Sequence, residues 1–190
     1  KSKKNYLAKL ETLETGKTFK SALHEVNHCI KLWSYASKIS KSHNAIVNLD
    51  KKHKGFIRYE PVGIVGLIIP WNFPLIVISE RLPFILAAGN SVIIKPSEYA
   101  SLSIIYLIKI LKKAGLPKST INILFGKGER IGKMIVKNPD INMISFTGST
   151  TVGKKIINAS ASKVKRLNLE LGGKNPIVVF NDADIDNSVK

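Results

Sequence analysis

The chain has 190 residues, 44% of them hydrophobic and 23% charged, and a formal charge of +17. That length holds one complete domain with some chain to spare, and the composition excludes a disordered chain, a collagen-like chain and a small disulfide scaffold. The single cysteine, Cys29, excludes an internal disulfide and fits a reducing, cytoplasmic compartment.

The charge first suggests a nucleic-acid partner. Its composition argues against one. Lysine supplies 26 of the 30 basic residues and arginine only 4, whereas base-edge readout relies on arginine forks. The lysines are spread along the chain. Lys, Ile and Asn, all with AT-rich codons, number 26, 26 and 14, so genome composition accounts for the charge. No nucleic-acid partner is expected. Apolar runs such as residues 62–69 are too short to cross a bilayer, so no membrane partner is expected either. No signal-peptide pattern is read, and the first residue is Lys1, so a fragment or a processed product is expected.

Residues 1–54 read as a polar, Lys-rich helical lead-in. Ala22, Val26, Cys29, Ile30, Trp33 and Ala36 recur at helical spacing over residues 19–39. Residues 41–54 show no period and read as a connection. From Gly55 to the end the texture is that of an α/β domain. Strands are predicted over 56–60, 62–69, 91–94, 121–124, 143–146, 165–170 and 177–180. Helices are predicted over 75–88, 100–114, 129–137 and 151–160, the second closed by Gly115 and Pro117. This alternation implies right-handed βαβ crossovers and a Rossmann-like parallel sheet with flanking helices. A nucleotide site would lie at the carboxyl ends of its strands.

Five patterns could carry chemistry. His24-Glu25-Val26-Asn27-His28 matches the H-E-x-x-H of zinc peptidases. The extended pattern, with a further Gly and a third His, is missing, so an exposed helix face is expected and no metal. Pro70-Trp71-Asn72-Phe73-Pro74 follows a buried strand. It is either a structural turn or a support for the Asn72 amide, a donor suited to a developing oxyanion. Lys95-Pro96-Ser97-Glu98 follows the next strand. Glu98 can accept both hydroxyls of a ribose and would repel a 2′-phosphate, which favours NAD over NADP. Ser97 can instead cap a helix with Glu98 on its dipole, and both readings can hold together.

Glycine-rich turns come next: Gly126-Lys127-Gly128 with Gly132, then Phe146-Thr147-Gly148-Ser149-Thr150-Thr151-Val152-Gly153. Each lets backbone approach a ligand closely. The last pattern is Leu169-Glu170-Leu171-Gly172-Gly173-Lys174-Asn175-Pro176. A carboxylate between two leucines would be partly desolvated and so suited to act as a general base, the alternative being an exposed Glu in a turn.

In order, type and rough spacing, these motifs resemble the aldehyde dehydrogenase superfamily, closely from Gly55 to Asp186. Residues 10–17 resemble that family's helical lead-in. The resemblance implies NAD-dependent oxidation of an aldehyde substrate to a carboxylic acid through a cysteine thiohemiacetal. It implies that Ile68, Ile69, Pro70 and Trp71 line the nicotinamide side, and that Asn72 holds the oxyanion. Lys95, Ser97 and Glu98 would serve the adenosine ribose, and Gly128 and Gly132 would flank the adenine. Phe146 and Thr147 would belong to the cofactor site, and Gly148, Ser149, Val152 and Gly153 would face the pyrophosphate, with Ser149 in direct contact. Glu170 would be the base, and Leu171 would meet the carboxamide through its backbone. The family's nucleophilic cysteine lies beyond the glutamate motif, and Cys29 does not match it. An internal piece of a homodimeric or homotetrameric enzyme is therefore expected: residues 55–190 as most of the cofactor domain, inactive by itself. The alternative is a non-catalytic dinucleotide-binding remnant. Glu80-Arg81 departs from the family's common Trp-Lys and leaves a positive charge near the site.

Overall fold

The structure is a computed structural model that describes residues 2–40, 45–50 and 52–189. Five strands form one parallel sheet: β3 (Ile64–Ile68), β4 (Ser91–Lys95), β5 (Ile121–Ile123), β6 (Met143–Gly148) and β7 (Arg166–Leu171). Their spatial order is β5-β4-β3-β6-β7, with every pairing parallel. This is the α/β architecture that the alternation of apolar runs implies. Two further strands, β1 (Ala45–Asn48) and β2 (Lys54–Ile57), pair as a separate antiparallel hairpin.

Helices cover both faces. On one face lie α1 (Lys4–Thr15), α2 (Phe19–Ile39), α3 (Pro74–Ser79), α4 (Leu82–Ala87) and α5 (Leu102–Lys113). Ala22, Val26 and Cys29 of α2 share a core there with Val65, Leu67, Val92 and Ile94 of the sheet. On the other face lie α6 (Lys133–Lys137) and α7 (Thr150–Ser160). Ile135 and Ile156 pack there with Ile144 and Phe146. Successive strand residues point to opposite faces, so each central strand feeds both cores and is mainly apolar. Gly66 lets α6 approach β3: a Cβ there would stand 2.6 Å from Ile135 Cγ2.

Several expectations need correction. Residues 41–54 are not all connection, because Ala45–Asn48 pairs with Lys54–Ile57; residues 41–44 and 51 lie outside the described residues. The strand expected over 56–60 begins at Lys54 and ends at Ile57. The single helix expected over 75–88 is two short helices broken at Glu80 and Arg81. Pro83 causes the break, since it offers no N–H and its ring would meet the carbonyl four residues back. It is tolerated in the first turn of α4. The segment expected to open a helix at Glu129 begins as a π-helical turn, Gly128–Gly132. Residues 177–180 form no strand. Ile177, Val178, Val179 and Phe180 are all exposed, since strand propensity without a partner strand leaves backbone groups to water.

Candidate dinucleotide and base site

The sheet's carboxyl edge is organised by register. Ile68 pairs with Lys95 on one side and with Phe146 on the other, and Phe146 pairs with Leu169. These four residues form one row across four strands and point to one face. The chain leaves β3 for β4 on one side and reaches β6 on the other. The row therefore crosses the switch point of the sheet, where open α/β sheets bind ligands.

Lys95 is 3% exposed. Its ammonium donates to Glu98 Oε2 at 3.0 Å and to the Pro96 carbonyl at 3.0 Å. The Glu98 carboxyl is held below the usual carboxylate range. Its own backbone N–H contributes most, then the Lys95 ammonium, with the Gly128 N–H adding to them. Glu98 thus joins the loop after β4 to the π-turn after β5, while its side chain stays 36% exposed to a ligand. Gly132 sits behind Ile68, whose Cδ1 lies 3.9 Å from where a Cβ would be.

Ser97 does not cap a helix. Its hydroxyl accepts the Tyr99 N–H at 3.2 Å, a bond within the turn, and α5 begins only at Leu102. The α5 start is held from elsewhere, because Glu14 of α1 accepts from the Leu102 N–H at 2.7 Å and from the Ser103 hydroxyl. Glu98 accordingly owes its position to Lys95 and Gly128 and not to a helix dipole.

After β6, Gly148 and Ser149 open α7. The Ser149 hydroxyl accepts the Val152 N–H at 3.3 Å, which caps the helix. A Cβ on Gly148 would lie 2.5 Å from the Phe146 ring, and one on Gly153 would lie 2.6 Å from Leu171 Cδ2. Gly148 leaves room for the Phe146 ring on its own strand, and Gly153 lets α7 pack closely over β7. Thr147 pairs with Glu170, and Gly148 with Leu171.

The opposite face of this edge carries the other half of the constellation. Ile69 is buried, and its N–H donates to the Lys95 carbonyl at 3.0 Å. Pro70, half-buried, leads into an exposed turn bearing Trp71 and Asn72, and Pro74 then starts α3. Glu170 points to this face, because Leu169 packs against the other core. Its carboxylate is 63% exposed. The desolvation expected from its two leucine neighbours is therefore absent in this chain: in a strand, adjacent residues face opposite sides, so Leu169 and Leu171 do not cover it. Arg81, between α3 and α4, approaches Glu170 Oε1 to 3.8 Å and Glu80 Oε2 to 3.7 Å. The positive charge noted in the sequence thus faces the candidate base directly, a pairing that sequence distance hid.

The three residues of the H-E-x-x-H pattern do not converge. His24 and His28 are exposed on α2, while Glu25 is buried and bonded to the Lys17 ammonium at 2.7 Å. Among the described residues no three His, Cys, Asp or Glu side chains could hold a metal ion together. Cys29 is 7% exposed, its thiol donates to the Leu75 carbonyl at 3.3 Å, and burial pushes it up to about 12. It packs as a small hydrophobe, as its place on the lead-in suggests. No described helix is long and apolar enough to cross a membrane.

The chain is similar to known proteins over nearly its whole length. The sequence profile of the Aldehyde dehydrogenase family matches residues 1–190. The chain is 42% identical over 187 residues to Omega-crystallin of Enteroctopus dofleini, covering 97% of this chain and 38% of that protein. It is 43% identical over 185 residues to an aldehyde dehydrogenase of Emericella nidulans, covering 96% of this chain and 37% of that one. Among solved structures it superposes on betaine aldehyde dehydrogenase from Staphylococcus aureus in complex with NAD+ with a TM-score of 0.93. There the identity is 35%, covering 99% of this chain and 38% of that one. The chain thus spans well under half the length of the relatives it matches.

Proposed function

The chain belongs to the aldehyde dehydrogenase family, and from that premise we propose that it is the cofactor-holding part of an NAD-dependent enzyme that oxidises an aldehyde to a carboxylic acid. Residues 1–54 are the lead-in, and residues 55–190 form most of the NAD-binding domain. A single free and buried cysteine suits a reducing, cytoplasmic setting.

The observation that carries this reading is the Lys95–Glu98 pair at the carboxyl end of β4, one strand away from the switch point between β3 and β6. Its donors and acceptors fit an adenosine ribose. Glu98 is ionised, anchored on one side by Lys95 and the Gly128 N–H, and open on the other to accept hydroxyl donors. The same charge repels a 2′-phosphate, which favours NAD over NADP. Ser149 and the start of α7 offer backbone N–H groups to a pyrophosphate, and the tight Gly148 packing leaves no side chain in the way. Phe146, Thr147, Val152 and Gly153 shape that turn, Gly128 and Gly132 flank the adenine, and Ile68 borders the nicotinamide side.

The register divides the labour between the two faces of the edge. Lys95, Ile68 and Phe146 point to one face; Ile69 and Glu170 point to the other. A dinucleotide lying across the strand ends meets the ribose and phosphate donors on the first face and the base on the second. When bound, NAD supplies a hydride acceptor. Ile69, Pro70 and Trp71 border the space for its nicotinamide, and Leu171 offers backbone to the carboxamide. Asn72, on its exposed turn, donates its amide N–H to the oxyanion of the substrate. Glu170 is the proton acceptor, solvated in this chain and paired loosely with Arg81.

Titration calorimetry of the purified chain with NAD tests the assignment. NAD is expected to bind more tightly than NADP, and Glu98→Ala is expected to weaken NAD binding by tenfold or more, as loss of a charged hydrogen-bond acceptor does. Unchanged affinity in Glu98→Ala removes the ribose assignment. The chain itself is expected to show no aldehyde-dependent formation of NADH, because Cys29 is buried and unreactive. A measurable rate overturns that part.

A further inference from the structure

Beneath the turn that carries Asn72 lie two buried carboxyl groups, Glu11 and Glu25, and a half-buried ammonium, Lys17, that no role above uses. Glu11 of α1 is fully buried. Its Oε1 faces the Leu75 N–H at 3.5 Å and the Lys17 ammonium at 3.7 Å. Its Oε2 has no hydrogen-bond partner among the described residues. Lys17, in the link between α1 and α2, bonds Glu25 Oε2 at 2.7 Å and lies 4.2 Å from the centre of the Phe73 ring. The other oxygen of Glu25 accepts from the Ser21 hydroxyl at 3.4 Å.

These contacts grip the chain on the α3 side of Asn72. Phe73 follows Asn72 directly, and its ring rests on the Lys17 ammonium. Leu75 lies in the first turn of α3, where N–H groups have no intrahelical partner, and the Glu11 carboxylate faces that N–H. The Leu75 carbonyl receives the Cys29 thiol. Residues 71–73 belong to no strand or helix. Their position therefore depends on what holds their ends.

We propose that Glu11 and Lys17 are positioning residues for Asn72: the lead-in helices, through the Leu75 amide and the Phe73 ring, set where the Asn72 amide stands. This rests on the reading of Asn72 as an oxyanion donor. The arrangement carries a pH dependence. Burial pushes the Glu11 carboxyl up to about 7, with Lys17 opposing and Glu25 reinforcing the shift. The charged and titratable groups around it are Lys17 from the link, Glu25 and Cys29 from α2, and Glu14 on its own helix; α3 presents only the Leu75 N–H. When ionised, Glu11 attracts the Leu75 N–H and competes with Glu25 for Lys17. When protonated, it leaves Lys17 to Glu25 and loosens its hold on α3.

The test is nuclear magnetic resonance of the ¹⁵N-labelled 190-residue chain between pH 5.5 and 8.5, following the Asn72 side-chain amide and the Leu75 backbone amide. Both are expected to follow one step with a midpoint near pH 7. Glu11→Gln, which keeps shape, is expected to abolish the step and hold Asn72 at its low-pH position. Lys17→Met is expected to move the midpoint upward, because the opposing charge is gone. A step that survives in Glu11→Gln comes from other groups and overturns the proposal. So does an Asn72 resonance that is the same in wild type and Glu11→Gln throughout. An unmoved midpoint in Lys17→Met removes Lys17 from it. Because resonance positions are read and not turnover, failure here is distinct from failure of the oxyanion role. That role falls if Asn72→Ala leaves turnover of the complete enzyme intact.

Discussion

The Arg81 guanidinium stands 3.8 Å from the Glu170 carboxylate, linking the break between α3 and α4 to the end of the edge strand β7. Eighty-nine positions separate the two in sequence. The pair is loose and its carboxylate is 63% exposed, so solvent screens it. Arg81→Met is accordingly expected to change the unfolding free energy by less than ~1 kcal/mol in urea titrations. A loss several times larger would mean that the guanidinium holds α4 in place by contacts other than the Glu170 pair.

Gly148 is expected to tolerate no side chain. A Cβ there would lie 2.5 Å from the Phe146 ring, which is itself buried in the second core. Gly148→Ala should cost about 1–3 kcal/mol, the usual penalty of overpacking. In a Phe146→Leu background the same change should cost less, since the ring that clashes is gone. Equal costs in both backgrounds would show that the two positions do not couple.

Stability should fall as pH rises through the acid range because of Glu11. Its carboxyl is raised from an ordinary 4.5 to about 7 in the folded chain. Between those values the folded state holds a proton that the unfolded state has released. The contribution is therefore complete below about pH 4.5 and lost by the time pH passes 7, a change of about 3 kcal/mol. Urea unfolding at pH 5 and pH 8 measures it. Glu11→Gln should flatten this part of the profile. A profile unchanged by that substitution would assign the slope to other groups.

Cys29 should resist modification in the native chain. Its thiol is buried and pushed up to about 12, so almost no thiolate exists at pH 8. Labelling by a thiol reagent should be slow in buffer and rapid in denaturant. Fast labelling of the native chain would mean that α2 opens away from α3.

The apolar runs, glycine turns and proline breaks of this sequence determine the alternation of strand and helix, and with it the parallel sheet. These signals are local: period, propensity and turn chemistry act over a few residues. The same locality makes the motifs around Asn72, Glu98, Ser149 and Glu170 legible, each at or just after the end of a strand. What only the tertiary structure decides are the partners. The start of α5 is held by Glu14, from another helix, while Ser97 bonds only within its own turn. Glu170 is exposed because strand alternation turns its leucine neighbours to the other face. Glu11 and Lys17 read as ordinary surface charges in a polar lead-in, yet the packing of α1 and α2 on α3 puts them beneath Asn72. Residues 177–180 have the composition of a strand and form none. Burial, register and pairing depend on residues distant in the chain, so no window of neighbouring residues contains them.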